Sequence, residues 1–253
     1  MFAGSAYFRF NWKLTLFTVL LLPALVRLGF WQLEREQEKI QLQNLYTERQ
    51  QQAPADLHSL DQQSFDQQKD LQYRQVSVAG SYDNAHIFLL DNKIYQGQVG
   101  YEIIVPLVTD DGAVVFINRG WLPQGEYRAQ LPDVPLISGP VELSGSVYVA
   151  VGEQLVLGTD VATAGWPKVI QTLDTSSLFM LAGYKPELRL FPYSVRINEN
   201  SPGALTRYWP VISTTPEKHR AYAVQWFAMA VVLLGLYLYT GFRPESGKRE
   251  TDG

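Results

Sequence analysis

His219-Arg220-Ala221-Tyr222-Ala223-Val224-Gln225-Trp226 opens a long apolar run near the C-terminus. From Ala221 to Gly241 the one strongly polar side chain is Gln225, so about 20 residues can cross hydrocarbon as a single helix. A 3.6-residue period puts Tyr222, Ala223 and Trp226 on the face of His219. A titratable imidazole therefore heads an aromatic stripe where the helix enters the membrane. Two readings stand side by side. With Lys218 and Arg220 beside it, His219 is a headgroup anchor of a basic cluster. Alternatively, its neutral imidazole ligates haem iron axially, while Tyr222 and Trp226 give a porphyrin apolar contact. Ala221, Ala228 and Gly235 recur every seventh residue, a small-residue stripe expected to pack on a second span.

That second span is residues 14–33. Arg9 and Lys13 precede it as they would precede a secretory signal, but the run is too long for a signal core and no small-x-small cleavage site follows. An uncleaved anchor is expected, with Pro23 tolerated as a mild kink. Arg27 is its one charge. If Trp31 marks the interface, Arg27 lies four residues, roughly 6 Å, deeper. It either snorkels to the headgroups or turns inward to pair with Glu34 or with an anionic group of a ligand. Arg9 and Lys13 before the first span, and Arg243, Lys248 and Arg249 after the second, favour cytoplasmic termini. The middle of the chain is then expected outside the inner membrane, in a periplasm or its mitochondrial equivalent.

The chain has 253 residues, a net charge of −4 and no cysteine. Disulfides, thiolate metal sites and cysteine nucleophiles are excluded, and without a basic block no nucleic acid is expected as a partner. The expected division is a tail at 1–13, a first span at 14–33, and a polar helix and linker at 34–70. A β-rich domain at 71–217, a second span at 218–241 and a tail at 242–253 complete it.

Within the middle domain, alternation and turn residues predict strands at 75–78, 86–90, 101–108, 113–118, 141–149, 155–157, 168–173 and 187–198. Asp91-Asn92 is expected to close the second, and residues 97–100 to form a flexible turn. Asp110-Asp111-Gly112 marks a hairpin, and Pro192 a bulge or edge position. Asp174 or Thr175 caps a short helix over 176–182, stopped by Gly183. The fold class expected is a membrane protein of the α+β kind, two transmembrane helices flanking a mainly antiparallel sheet or barrel-like extramembrane domain.

Catalytic chemistry finds no support. His58, His86 and His219 have no histidine or cysteine neighbours at metal-ligand spacing, and no nucleophile elbow, zinc-protease or phosphate-loop motif occurs. Arg119-Gly120-Trp121 is the most informative spot in the sheet. It reads either as a glycine bulge with a core tryptophan and a rim arginine, or as a docking patch in which Arg119 and Trp121 meet another protein.

The order of short segments along the chain resembles the Surfeit locus protein 1 family, membrane assembly factors for haem–copper cytochrome oxidases. Leu28-Gly29-Phe30-Trp31-Gln32-Leu33-Glu34-Arg35 leaves the first span, and Val76-Ser77-Val78-Ala79-Gly80-Ser81-Tyr82 follows. Gly100-Tyr101-Glu102 and Phe116-Ile117-Asn118-Arg119-Gly120-Trp121-Leu122-Pro123 come next, and the stretch from His219 to Phe227 closes the series. The resemblance implies two spans holding an external β-rich domain, no enzymatic activity, and a role in placing haem a in oxidase subunit I. Subunit I and haem a synthase are the implied protein partners, beside the lipid bilayer. In bacterial members the histidine heading the second span is associated with haem a, which here means His219. Tyr222, Trp226, Trp31 and Arg27 complete the expected cofactor-binding set, and Arg27 as a propionate partner matches no family motif. A bacterial inner membrane is preferred over the mitochondrial one.

Overall fold

In a computed structural model the protein is described at residues 8–60, 71–125, 127, 130–149 and 165–242. The expected strand at 155–157, the glutamine-rich stretch at 61–68, the first seven residues and the basic residues after 242 lie outside these. Two compact units form, one from the two chain ends and the other from Leu45–Pro210.

Helix α1 spans Trp12–Gln51 and helix α3 spans Pro216–Phe242. The Asn11 side chain caps α1, its Oδ1 accepting from the amides of Lys13 at 3.1 Å and Leu14 at 3.3 Å. Pro23 lies inside the helix without ending it. At 40 residues, α1 is about 60 Å long, roughly twice a hydrocarbon core, so its polar half cannot lie in lipid. Both helices are long and apolar enough to cross a membrane.

Inside the helical unit α1 and α3 run antiparallel. Thr15 meets Tyr237 hydroxyl to hydroxyl at 2.9 Å, Phe30 meets Phe227 edge-on at 5.3 Å, and Gln32 meets His219. Buried Thr18, Leu25, Gly29 and Glu36 make the α1 side of the seam, and Ala223 and Ala230 the α3 side. The small stripe is thus two residues away from the one expected, because Ala221, Ala228 and Gly235 are exposed. Phe227 explains the offset. Its ring lies over Gly29, where a Cβ would stand 2.5 Å from Cε1, so the close approach uses an α1 glycine rather than an α3 one.

The other unit is an eight-stranded sheet: β1 (Ala55–Asp56), β2 (Gln75–Tyr82), β3 (Phe88–Tyr95), β4 (Gln98–Val108), β5 (Ala113–Pro123), β6 (Pro140–Tyr148), β7 (Lys168–Ile170) and β8 (Arg189–Ile197). Their order is β1-β2-β6-β8-β5-β4-β3-β7, and β2 also pairs with β4. That extra pairing closes β2, β6, β8, β5 and β4 into a small barrel, from which β3 and β7 extend. Neighbours are antiparallel except β1–β2, β5–β8 and β3–β7.

Alternation sorts the apolar side chains. Ile103, Val105 and Leu107 of β4 and Val115 and Ile117 of β5 fill the barrel with Val76, Val78, Leu143, Val147 and Val195. Ile104, Val114 and Phe116 point the other way, into a second core with Phe88, Leu90 and Leu178. Leu178 belongs to helix α2, Thr175–Leu181, which Asp174 caps as expected by accepting from Ser176 and Ser177. A sheet covered on both faces needs near-continuous apolar strands, which is what β4 and β5 supply.

Local differences have local causes. Strand β3 does not stop at Asp91-Asn92 but passes through a register shift there, with Asn92 at φ 59°. The turn that follows is Gln96-Gly97, both at positive φ, and Gly100 is strand rather than turn. The Trp121 ring occupies the space a side chain at Gly100 would need. Pro192 sits opposite the register shift between Val114 and Phe116, inside the sheet at a bulge.

Candidate functional site

Where α1 leaves its apolar half, it carries Gln32 and Glu36 one turn apart on the stripe of Leu25 and Gly29. The first turns of α3 bring His219 and Arg220 against them. His219 Nδ1 lies 2.8 Å from Gln32 Oε1, and Arg220 Nε donates to Glu36 Oε1 at 2.7 Å. Gln32 Oε1 can only accept, so the neutral imidazole that fits this contact has its proton on Nδ1 and its lone pair on Nε2. That Nε2 is enclosed and has no hydrogen-bond partner among the described residues. Glu36 is 6% exposed, so its carboxylate is held mainly by the Arg220 guanidinium.

The aromatic set divides around this cluster. Trp226 is half-buried two turns along the His219 face, and Tyr222 is 51% exposed beside it. Trp31 is 44% exposed and lies under the Arg35 guanidinium at 5.7 Å. Arg27 goes elsewhere. At 3.6 residues per turn it falls on the side of α1 opposite Leu25, Gly29, Gln32 and Glu36, and it is exposed there. His219, Tyr222 and Trp226 lie along one face of α3, and Arg27 lies on the far side of α1 from the residues that meet His219.

Arg119 and Trp121, expected as a docking patch or as structure, are both buried. Arg119 is 1% exposed; its Nε donates to Gly203 O and its Nη1 to Pro135 O, both at 2.8 Å, and it lies 5.5 Å from the Tyr82 ring. Trp121 is 6% exposed and donates from Nε1 to Lys93 O at 3.0 Å. The arginine is at the centre of a loop-to-barrel clamp rather than at a rim. Burial pushes the Tyr82 phenol up to about 12, against the pull of the Arg119 charge, so the ring faces the cation neutral. The expected bulge is present. Two residues, Arg119 and Gly120, oppose Ile103 alone, and Gly120 adopts φ 118° against the carbonyl of Thr206.

No group of three or more histidine, aspartate or glutamate side chains able to hold a metal occurs among the described residues. A model of the SURF1 family matches residues 19–231, which takes in most of α1, the whole barrel and the first part of α3. The chain belongs to the SURF1 family. This is a family of oxidase assembly factors.

SURF1-family relatives occur in vertebrates and bacteria. Surfeit locus protein 1 of Takifugu rubripes is 25% identical over 229 residues, covering 83% of this chain and 90% of its own. Its namesake in Xenopus tropicalis is 25% identical over 237 residues, 87% and 73% of the two chains. An uncharacterized SURF1-like protein of Mycobacterium tuberculosis is 24% identical over 204 residues, 79% and 72%.

Sequence reasoning missed Gln32 and Glu36 as site residues of this SURF1-family chain. Their signal was available: at 3.6 residues per turn both fall on the α1 face of Gly29, where another span can approach closely. Polar side chains on such a face need partners across the seam.

Proposed function

We propose that this protein is a non-enzymatic assembly factor of a haem–copper cytochrome oxidase that holds haem a at His219 and presents it to nascent subunit I. Its helices span a bacterial inner membrane with the barrel in the periplasm, and haem a synthase is a second partner. Family membership supports the assembly role. One observation carries the cofactor assignment: the hydrogen bond from His219 Nδ1 to Gln32 Oε1 at 2.8 Å, which leaves Nε2 unpaired.

The donor chemistry fits a metalloporphyrin. A porphyrin brings its own equatorial nitrogens and asks the protein for a single axial base, which matches an imidazole that belongs to no cluster of three or more ligating side chains among the described residues. Bound here, haem a supplies an iron that an axial imidazole can ligate. Gln32 fixes the tautomer and ring orientation of that imidazole, as outer-shell partners of ligating histidines do. An enclosed nitrogen without a partner is costly, so coordination recovers free energy already spent on its burial. Because Nε2 is covered, the side chains over it must open before anything reaches it. Trp226 and Tyr222 offer ring faces along α3, and Arg220, tied to Glu36, is the nearest fixed cation.

The test is the visible spectrum and haem content of the full chain purified from cells making haem a. Haem a in the wild-type protein and its loss in His219→Ala, with the variant otherwise folded, is the expected result. A colourless wild type leaves a scaffold that steadies subunit I without touching haem, and a loaded His219→Ala removes this histidine from the mechanism.

A further inference from the structure

We infer that the face of α1 turned away from α3 is a docking surface for a transmembrane helix of another protein that carries an aspartate or glutamate at the depth of Arg27. This rests on the chain spanning a membrane and on nothing said of haem. On that face lies a groove of about 920 Å³, lined by Pro23, Ala24, Arg27, Phe30, Trp31 and Glu34 among others. Ala24 is its small side chain, where another helix can approach closely, and Phe30 and Trp31 are its aromatic rings, Phe30 at the edge where it also meets Phe227 of α3. Arg27 is the one cation in it and makes no hydrogen bond or ion pair among the described residues. An unpaired guanidinium below the interface is strongly disfavoured, and intramembrane cations usually meet an anion inside protein.

Charge complementarity selects the occupant. Neither span of this chain has an acid between residues 14 and 33 or between 221 and 242, so none of its own intramembrane side chains can supply the partner. A second copy docked by the same face would set Arg27 against Arg27 at equal depth, since a two-fold interface brings like surfaces together. Phosphate headgroups lie on the Trp31 side, the nearer end of the apolar run. In a helix the Cα–Cβ bond tilts toward the N-terminus, so the Arg27 side chain starts out away from the Trp31 end. A carboxylate on a neighbouring helix, about one turn below that helix's own interface, lies at the depth of Arg27.

The experiment places a photoreactive phenylalanine analogue at Ala24, in the groove, and at Val232 as a control on exposed α3, and irradiates native membranes. Expected from position 24 is an adduct with a membrane-spanning segment of another protein, containing Asp or Glu within two turns of the adduct. Its yield falls at least tenfold in Arg27→Glu and returns when the partner's acid is changed to Arg in that background, which a merely misfolded variant cannot do. His219→Ala leaves the yield unchanged, separating this surface from the haem assignment. Adducts with phospholipid only, with a second copy of this chain, or with an acid-free segment overturn the proposal. So does a yield indifferent to Arg27.

Discussion

Gln32 and His219 meet across the two membrane-type helices at 2.8 Å, and the carbonyl of one decides which nitrogen of the other is free. The pair sits one turn from a second cross-seam pair, Glu36 with Arg220. A polar ladder at the end of an apolar seam fixes register as well as chemistry, since sliding either helix by one turn breaks both rungs.

Removing the acceptor tests that relationship. Gln32→Ala leaves the imidazole free to rotate and to change tautomer, and haem affinity is expected to fall about 10- to 100-fold, the usual cost of losing an outer-shell partner. Gln32→Glu still accepts the Nδ1 proton and is expected to restore retention. Haem retained on size exclusion, together with the absorption spectrum across pH, reads the result; equal retention in Gln32→Ala refutes the positioning role.

The seam itself predicts a size limit at Gly29. A Cβ there would stand 2.5 Å from Phe227 Cε1, so valine is expected to weaken helix pairing by about 1–3 kcal/mol. Phe227→Ala should recover part of that loss, giving a non-additive double-mutant cycle in thermal melts of the detergent-solubilised chain. Additive effects would mean that the two residues do not pack on each other.

Arg119 is expected to matter for stability and not for surface recognition. Arg119→Ala strands the carbonyls of Gly203 and Pro135 and empties the space beside Tyr82. The cost is about 2–4 kcal/mol, a fall in melting temperature on the order of 5–10 °C for a domain of this size. A variant melting like wild type contradicts the clamp.

Asp83 makes the barrel acid-sensitive. Burial alone would raise its carboxyl, but hydrogen bonds from Tyr184 at 2.5 Å and from His86 at 2.6 Å, with the imidazole charge, hold it below its usual 3.8. A carboxyl lowered in the folded state stabilises the fold fully above its unfolded pKa and loses that contribution as pH falls through the folded one. Stability is therefore expected to drop as pH goes below about 3.8, more steeply in wild type than in Asp83→Asn. Acid-unfolding curves of the two proteins measure the difference, and coincident slopes would exclude Asp83 as a source.

How far the sequence reaches depends on the range of the interaction that sets each feature. The spans, the cap at Asp174, the bulge at Gly120 and the punctuation at Pro192 follow from local hydropathy, capping and backbone conformational limits, so they were legible residue by residue. The closing of the barrel was not, because the β2–β4 pairing joins strands that are apart in sequence and leaves no periodic trace. Nor was the depth of Arg119, whose carbonyl partners come from loops 16 and 84 residues away.

By itself the sequence determined that two apolar helices bracket a β-rich domain, and that an imidazole and aromatic rings share one face at the head of the second. Those are consequences of composition and of 3.6- and 2-residue periods, which act within a single element. Only the tertiary structure decided which face of each helix is buried. It turned His219 to Gln32, sent Arg27 to the far side of α1, and moved the small seam to Ala223 and Ala230. The reason is steric and relational: Phe227 needs the gap at Gly29, and that one fit sets the rotation of both helices.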